Sequence, residues 1–244
     1  MIIRTHLATA LGTGLGVAAL ATWAGYPVTL AAVPLGLAAW GAGGGPDIDA
    51  PPHPPVSGSC AAEAHGPVSH VVSHWVNRTH HGHRGYTHRY WYAALVGLAF
   101  GLLGLVYPVQ ATGIAVGYFM AMPLYCAMPG HVRGHLRKLG PLGFLGTERM
   151  AWAWAILLGV ACAYLAPAER WIGAAVGIGW ASHILADKAQ SGWRWHRHKI
   201  GGWKLGGRIE HVVATSVLMA GACALAWQLD AFERVPEVLG SAPW

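Results

Sequence analysis

A chain of 244 residues with 54% hydrophobic and only 11% charged side chains has too few charges to dress a soluble surface of its size, and its 13 tryptophans add to a membrane-protein balance. The 16 Lys and Arg against 10 Asp and Glu form too mild and dispersed an excess for a nucleic-acid surface, but they suit contact with anionic lipid headgroups. Cys60, Cys126, Cys162 and Cys223 lie far apart with no Cys-x-x-Cys pair, which argues against a disulfide framework or a zinc ribbon. The outlying number is 15 histidines.

In chain order, an apolar run over 7–26 follows Arg4. Ala19-Leu20-Ala21 resembles a signal-peptide cleavage site, but a second run over 28–44 follows at once, so the pair reads better as a hairpin of spanning helices. That run ends in Gly43-Gly44-Gly45-Pro46, where a helix must stop, and Asp47, Ile48 and Asp49 follow. Residues 50–89 form a His-rich polar loop, opened by Pro51-Pro52-His53-Pro54-Pro55 and carrying His65, His70, His74, His80, His81, His83 and His88. Within it, 68–76 predicts a short helix with His70 and His74 on one face.

Apolar runs resume over 90–106 and 109–128, with Tyr107-Pro108 as the turn between them, and a basic loop covers 131–149. Runs over 151–166 and 171–186 make a further hairpin about Pro167, and a basic loop over 187–208 leads to a last run at 212–229. Gly12 with Gly16, Gly97 with Gly101 and Gly173 with Gly177 have the small-xxx-small spacing that lets helices approach closely in lipid.

The expectation is one all-α domain over 1–244, a polytopic bundle of about seven apolar helices, with the 50–89 loop at one face. If the helices alternate, the N-terminus and the loops 46–89, 129–149 and 187–209 share a side that holds 14 of the 16 basic residues, leaving Arg170 and Arg234 opposite. Such a bias marks the cytoplasmic face. The same alternation puts His6, Asp47, Asp49, His83, His88, His183, Asp187 and Glu210 on that side, although none of them entered the topology argument.

These residues carry metal chemistry. His83-Arg84-Gly85-Tyr86-Thr87-His88 sets two imidazoles about an Arg at the mouth of an apolar helix, and His183 and Asp187, four apart, share one helix face. Singly they have plainer roles: Asp47 and Asp49 as turn or cap residues, Glu210 as a charge favoured by a helix N-terminus. Together, carboxylates and imidazoles from five segments suit a one- or two-metal site for zinc, manganese or iron.

The order His6, Pro46-Asp47-Ile48-Asp49, His83-Arg84-Gly85-Tyr86-Thr87-His88, Ser182-His183-Ile184-Leu185-Ala186-Asp187 and Glu210 resembles the LexA-binding, inner-membrane-associated, metal-dependent hydrolase family. The resemblance implies a multi-span protein of the bacterial inner membrane with a metal site. A weaker likeness links it to the all-α zinc-dependent phospholipase C and P1 nuclease group, in which a helical His-x-x-x-Asp pair binds metal. Three features depart from the family pattern: Ala50-Pro51-Pro52 after Asp49 where His-Pro is usual, the long His-rich loop, and Arg89 in place of a small residue.

The activity expected is hydrolysis of a phosphoester, on a lipid or other amphiphile, at the cytoplasmic face. Arg84 would clamp a phosphate oxygen or pair with Asp47 or Asp49, and Asp49 or Asp187 would serve as general base or as ligand. No Gly-x-Ser-x-Gly nucleophile motif occurs. Arg194, Trp195, His196, Arg197, His198, Lys199, Trp203 and Lys204 suit an interfacial belt against lipid, and nucleic acid is disfavoured as a partner. The alternatives are a metal sensor or scaffold with a closed ligand shell and, less well supported, a transporter, which would need ligands at mid-helix where this chain has no Asp, Glu, Lys or Arg.

Overall fold

Runs of Ala, Leu and Gly without internal charge satisfy their backbone groups within a helix, and in the computed structural model each described run is helical. The structure describes residues 3–23, 32–49, 75–76, 78–79, 85–128, 130–165, 171–191, 193–195 and 198–200. Helices α1 (Ile3–Trp23) and α2 (Ala32–Ala42) come first, followed by tight 3-10 turns at Gly45–Asp49 and Tyr86–His88. Then come α3 (Tyr90–Val106), α4 (Pro108–Phe119), α5 (Ala121–Ala127), α6 (Gly130–Arg137), a 3-10 segment at Gly140–Gly146, α7 (Glu148–Leu165) and α8 (Trp171–Ser191). The all-α expectation holds, apart from two three-residue strands, β1 (Trp193–Trp195) and β2 (His198–Ile200), paired antiparallel with Arg194 opposite Lys199. The expected seventh helix at 212–229 and the His70/His74 helix lie outside the described residues, as does most of the His-rich loop.

Three boundaries differ from the sequence expectation. The 109–128 run breaks at Met120, because Pro123 has no N–H for the Phe119 carbonyl one turn back and its ring crowds that carbonyl. The 131–149 stretch is not a plain loop: it folds into α6 and the 3-10 segment after it. Helix α8 runs past Ala186 to Ser191, since Asp187-Lys188-Ala189-Gln190 contains nothing that stops a helix, so Asp187 lies one turn inside it.

Helix α8 packs against α3, α2 and α1, α4 packs against α7, and α2 joins the two groups by touching α4. Met120, Val116, Ile172, Val176, Trp180 and Ile184 fill the centre. Glycine contacts give the directions: Gly14 meets Gly36 and Ala10 meets Gly43, so α1 and α2 are antiparallel, and the Gly97/Gly173/Gly177 and Gly113/Gly117/Gly159 contacts make α3–α8 and α4–α7 antiparallel too. A side chain on Gly44 would strike Met122, which brings the α5 end of the α4–α5 pair to the C-terminal end of α2. The start of α1, the end of α2, the starts of α3 and α7 and the ends of α5 and α8 therefore share one end of the bundle, as alternation required. Of the three small-xxx-small pairs, Gly97/Gly101 and Gly173/Gly177 meet each other, whereas Gly16 faces open space and Gly14 makes the α1 contact.

The outward faces are apolar as well: Leu95, Leu98, Leu102 and Leu105 of α3 and Trp154, Ile156, Leu157, Val160 and Leu165 of α7 are exposed. Among the described residues, Pro108–Cys126 and Glu148–Leu165 are long and apolar enough to cross a membrane, each with mean hydropathy 1.2, and just 28% of the second is buried. Cys126, packed beside Met122 and Tyr125, is disulfide-bonded, while Cys162 is free.

Candidate metal centre

Three chain segments reach the shared end of the bundle with a polar side chain each. After α2, the run Gly43-Gly44-Gly45-Pro46 turns the chain, with the Asp47 amide donating to the Gly44 carbonyl at 3.2 Å, and leaves Asp47 half-buried at the helix end. Ahead of α3, the Tyr86–His88 turn buries Thr87 and His88. On α8, Trp180, His183, Ile184 and Asp187 recur at helical spacing, and all four are buried.

Trp180 ties both turns to α8. Its indole N–H donates to the Thr87 carbonyl at 2.8 Å, and a side chain at Gly45 would collide with its ring. Only glycine at 45 lets the Asp47 turn lie flat on that indole. On α8 itself, Gly179 lies so close to Ala39 that an added methyl would overlap the Ala39 backbone, which brings the end of α2 beside His183.

Donor atoms of Asp47, His88 and His183 lie within 4.8 Å of one another, close enough to hold one metal ion. His183 Nε2 is 3.5 Å from Asp47 Oδ1, and His88 Nε2 is 3.8 Å from the same oxygen. On its other side His88 Nε2 stands 3.6 Å from Asp187 Oδ2. These separations exceed the roughly 2.7–3.2 Å of a nitrogen–oxygen hydrogen bond. They match the ~3.4 Å between two donors that each sit ~2.1 Å from a tetrahedral ion. The His88 and His183 rings meet edge to face, with centroids 5.2 Å apart and planes at 72°, so their Nε2 atoms converge without the rings stacking.

The outer hydrogen bond of His183 says which nitrogen carries a proton. His183 Nδ1 lies 2.7 Å from the Gly43 carbonyl oxygen. A carbonyl only accepts, so Nδ1 carries the hydrogen, and in the neutral ring Nε2 presents a lone pair toward the Asp47 carboxylate. A shared proton or a metal cation would bridge these two atoms across their 3.5 Å. His88 has Nδ1 3.1 Å from the buried Thr87 hydroxyl, which can donate or accept and so leaves the tautomer open, and Nε2 toward both carboxylates. A carbonyl or hydroxyl behind each imidazole and carboxylates in front is how proteins orient metal-binding histidines.

Of the residues the sequence put forward, the structure thus brings together Asp47, His88, His183 and Asp187. His6 lies in α1, one turn before Ala10, and Asp49 ends the first 3-10 turn; their side chains are outside the described set. His83, Arg84 and Glu210 lie outside the described residues altogether. Sequence reasoning passed over Thr87, the Gly43 carbonyl and Trp180. Trp180 had a signal, since it is three residues before His183 on the same face, and Thr87 adjoins His88. A backbone carbonyl leaves none. Comparison of this chain with protein-family models, with curated proteins and with solved structures finds no match.

Proposed function

We propose that the protein is a membrane-embedded, metal-dependent hydrolase that cleaves a phosphoester of a lipid or another amphiphile at one face of the bilayer. The observation that carries this reading is the meeting of Asp47, His88 and His183 at one end of an apolar bundle, with Asp187 beside them. Imidazole nitrogen with carboxylate oxygen suits zinc best, and manganese or iron as well. A bound ion would polarise a phosphoryl oxygen and make water acidic enough to attack near neutral pH.

The chain's own contribution is positional. Gly43 and Thr87 hold the two imidazoles, Trp180 holds the turns, and Asp187, outside the three-residue group and in reach of His88, is placed to take a proton from an attacking water. Asp49, His6, His83 and Glu210 are proposed as further ligands and Arg84 as a phosphate clamp, on sequence order and the family resemblance. Lipid is the proposed partner because the helices that bury this site are apolar on their outer faces too, and a helix apolar all round is stable only inside a large core or a bilayer. The basic loops favour the cytoplasmic side of a bacterial inner membrane. The Cys126 disulfide weighs the other way, toward an oxidising compartment.

Burial of both imidazoles also favours a second reading, a non-catalytic metal sensor with a closed shell. A hydrolysis screen on metal-loaded protein, over lipid phosphates, nucleotides and simple phosphodiesters, separates the two. The hydrolase reading expects turnover that Asp187→Asn abolishes while metal and membrane insertion persist; no turnover on any class leaves the sensor, and full activity in Asp187→Asn removes Asp187 as the base.

A further inference from the structure

The stretch 130–147, between the two membrane-length helices, forms a lobe tied down by two arginines. Arg133 Nη1 donates to the carbonyls of Tyr125 and Met128, each at 3.0 Å, and its guanidinium lies 4.4 Å over the Tyr125 ring. Arg137 donates to the Gly146 carbonyl at 3.1 Å and to the Tyr125 hydroxyl at 2.7 Å. These two arginines clamp α6 and the 3-10 segment onto the end of α5, which fixes what the outward face can present.

That outward face combines positive charge with apolar bulk. His131, His135 and Lys138 are exposed, as is Arg149 at the start of α7, and Glu148 is the one acidic residue between 129 and 149. At the tip, Leu139 and Phe144 are each 52% exposed. Gly140, in the left-handed region at φ 55°, turns the chain from α6 into the 3-10 segment.

We infer that this lobe is an anchor for an anionic lipid surface: Phe144 and Leu139 enter the headgroup layer while Lys138 and Arg149 meet phosphates. The inference rests on the membrane reading above, and position supports it. The lobe directly joins Pro108–Cys126 to Glu148–Leu165, so where those two helices cross a bilayer it has to lie at headgroup depth. Basic residues at that depth are attracted by an anionic leaflet. The lobe is also at the same end of the bundle as Asp47, since Met122 of α5 touches Gly44, so it would set the height of the metal centre above the lipid.

The test uses full-length protein in neutral detergent, with its unfolding midpoint measured against added phosphatidylglycerol or phosphatidylcholine. Phosphatidylglycerol should raise the wild-type midpoint more than phosphatidylcholine does. Lys138→Gln with Arg149→Gln should lose at least half of that difference, Lys138→Arg should keep it, and Phe144→Ser should weaken the response to both lipids. An undiminished difference in the double variant, or none in the wild type, overturns the anchor. Alkaline carbonate extraction of membranes checks the underlying reading separately, because release of the wild-type chain would remove the spanning helices, whatever the lipid response.

Discussion

Because a carbonyl can only accept, the contact from His183 to Gly43 puts a hydrogen on Nδ1 and turns Nε2 toward Asp47. Thr87 has the corresponding place behind His88, and it is the one such group that a side-chain substitution can remove. Thr87→Val keeps the shape and loses the hydroxyl, so metal affinity should fall about 10- to 100-fold with the helical content unchanged. Thr87→Ser should restore most of it. A chelator competition titration reads both, and wild-type affinity in Thr87→Val would mean that the hydroxyl does not orient the ring. At this scale the sequence was legible where chemistry was unusual: histidine and aspartate in an apolar chain announce themselves. What holds them is ordinary, a threonine and a backbone oxygen, and becomes visible only once the end of α2 is known to touch α8.

Between elements, the site depends on how near α2 comes to α8. Gly179 sits where any side chain would overlap the Ala39 backbone. Gly179→Ala should therefore push the helices apart, cost about 1–3 kcal/mol, and weaken metal binding although no ligand has changed. Gly16 faces open space in the same bundle, so Gly16→Ala should be neutral or stabilising by up to about 1 kcal/mol. Thermal unfolding of the two variants side by side tests this, and equal destabilisation would contradict the close approach. Glycine spacing in the sequence was a partial guide. It found Gly97, Gly101, Gly173 and Gly177, but spacing does not say which face of a helix meets a neighbour, so it offered Gly16 and missed Gly14 and Gly179. The α4–α5 break was likewise legible in principle from Pro123, whereas the order in the 131–149 stretch was not, because it rests on Arg133 and Arg137 reaching carbonyls of other segments.

For the whole molecule, alternation of helix direction was a premise taken from the apolar runs, it puts 14 of 16 basic residues on one side, and the packed directions of the described helices agree with it. A reporter fused after Gly140 should accordingly read cytoplasmic. A periplasmic reading would reverse the orientation and fit the Cys126 disulfide instead. In either orientation the polar cluster stays at one end of the bundle, so the metal claim stands or falls independently of the compartment. The most direct test is the metal content of detergent-purified protein, by mass spectrometry of the elements after removal of loosely bound ions. The account predicts at least one transition-metal ion per wild-type chain, and loss of that ion in Asp47→Ala with His183→Ala, in protein that remains helical and membrane-inserted. Stoichiometric metal in that double variant, or none in the wild type even after zinc is supplied, would contradict it and leave His88, His183 and the carboxylates as a buried ion-pair network.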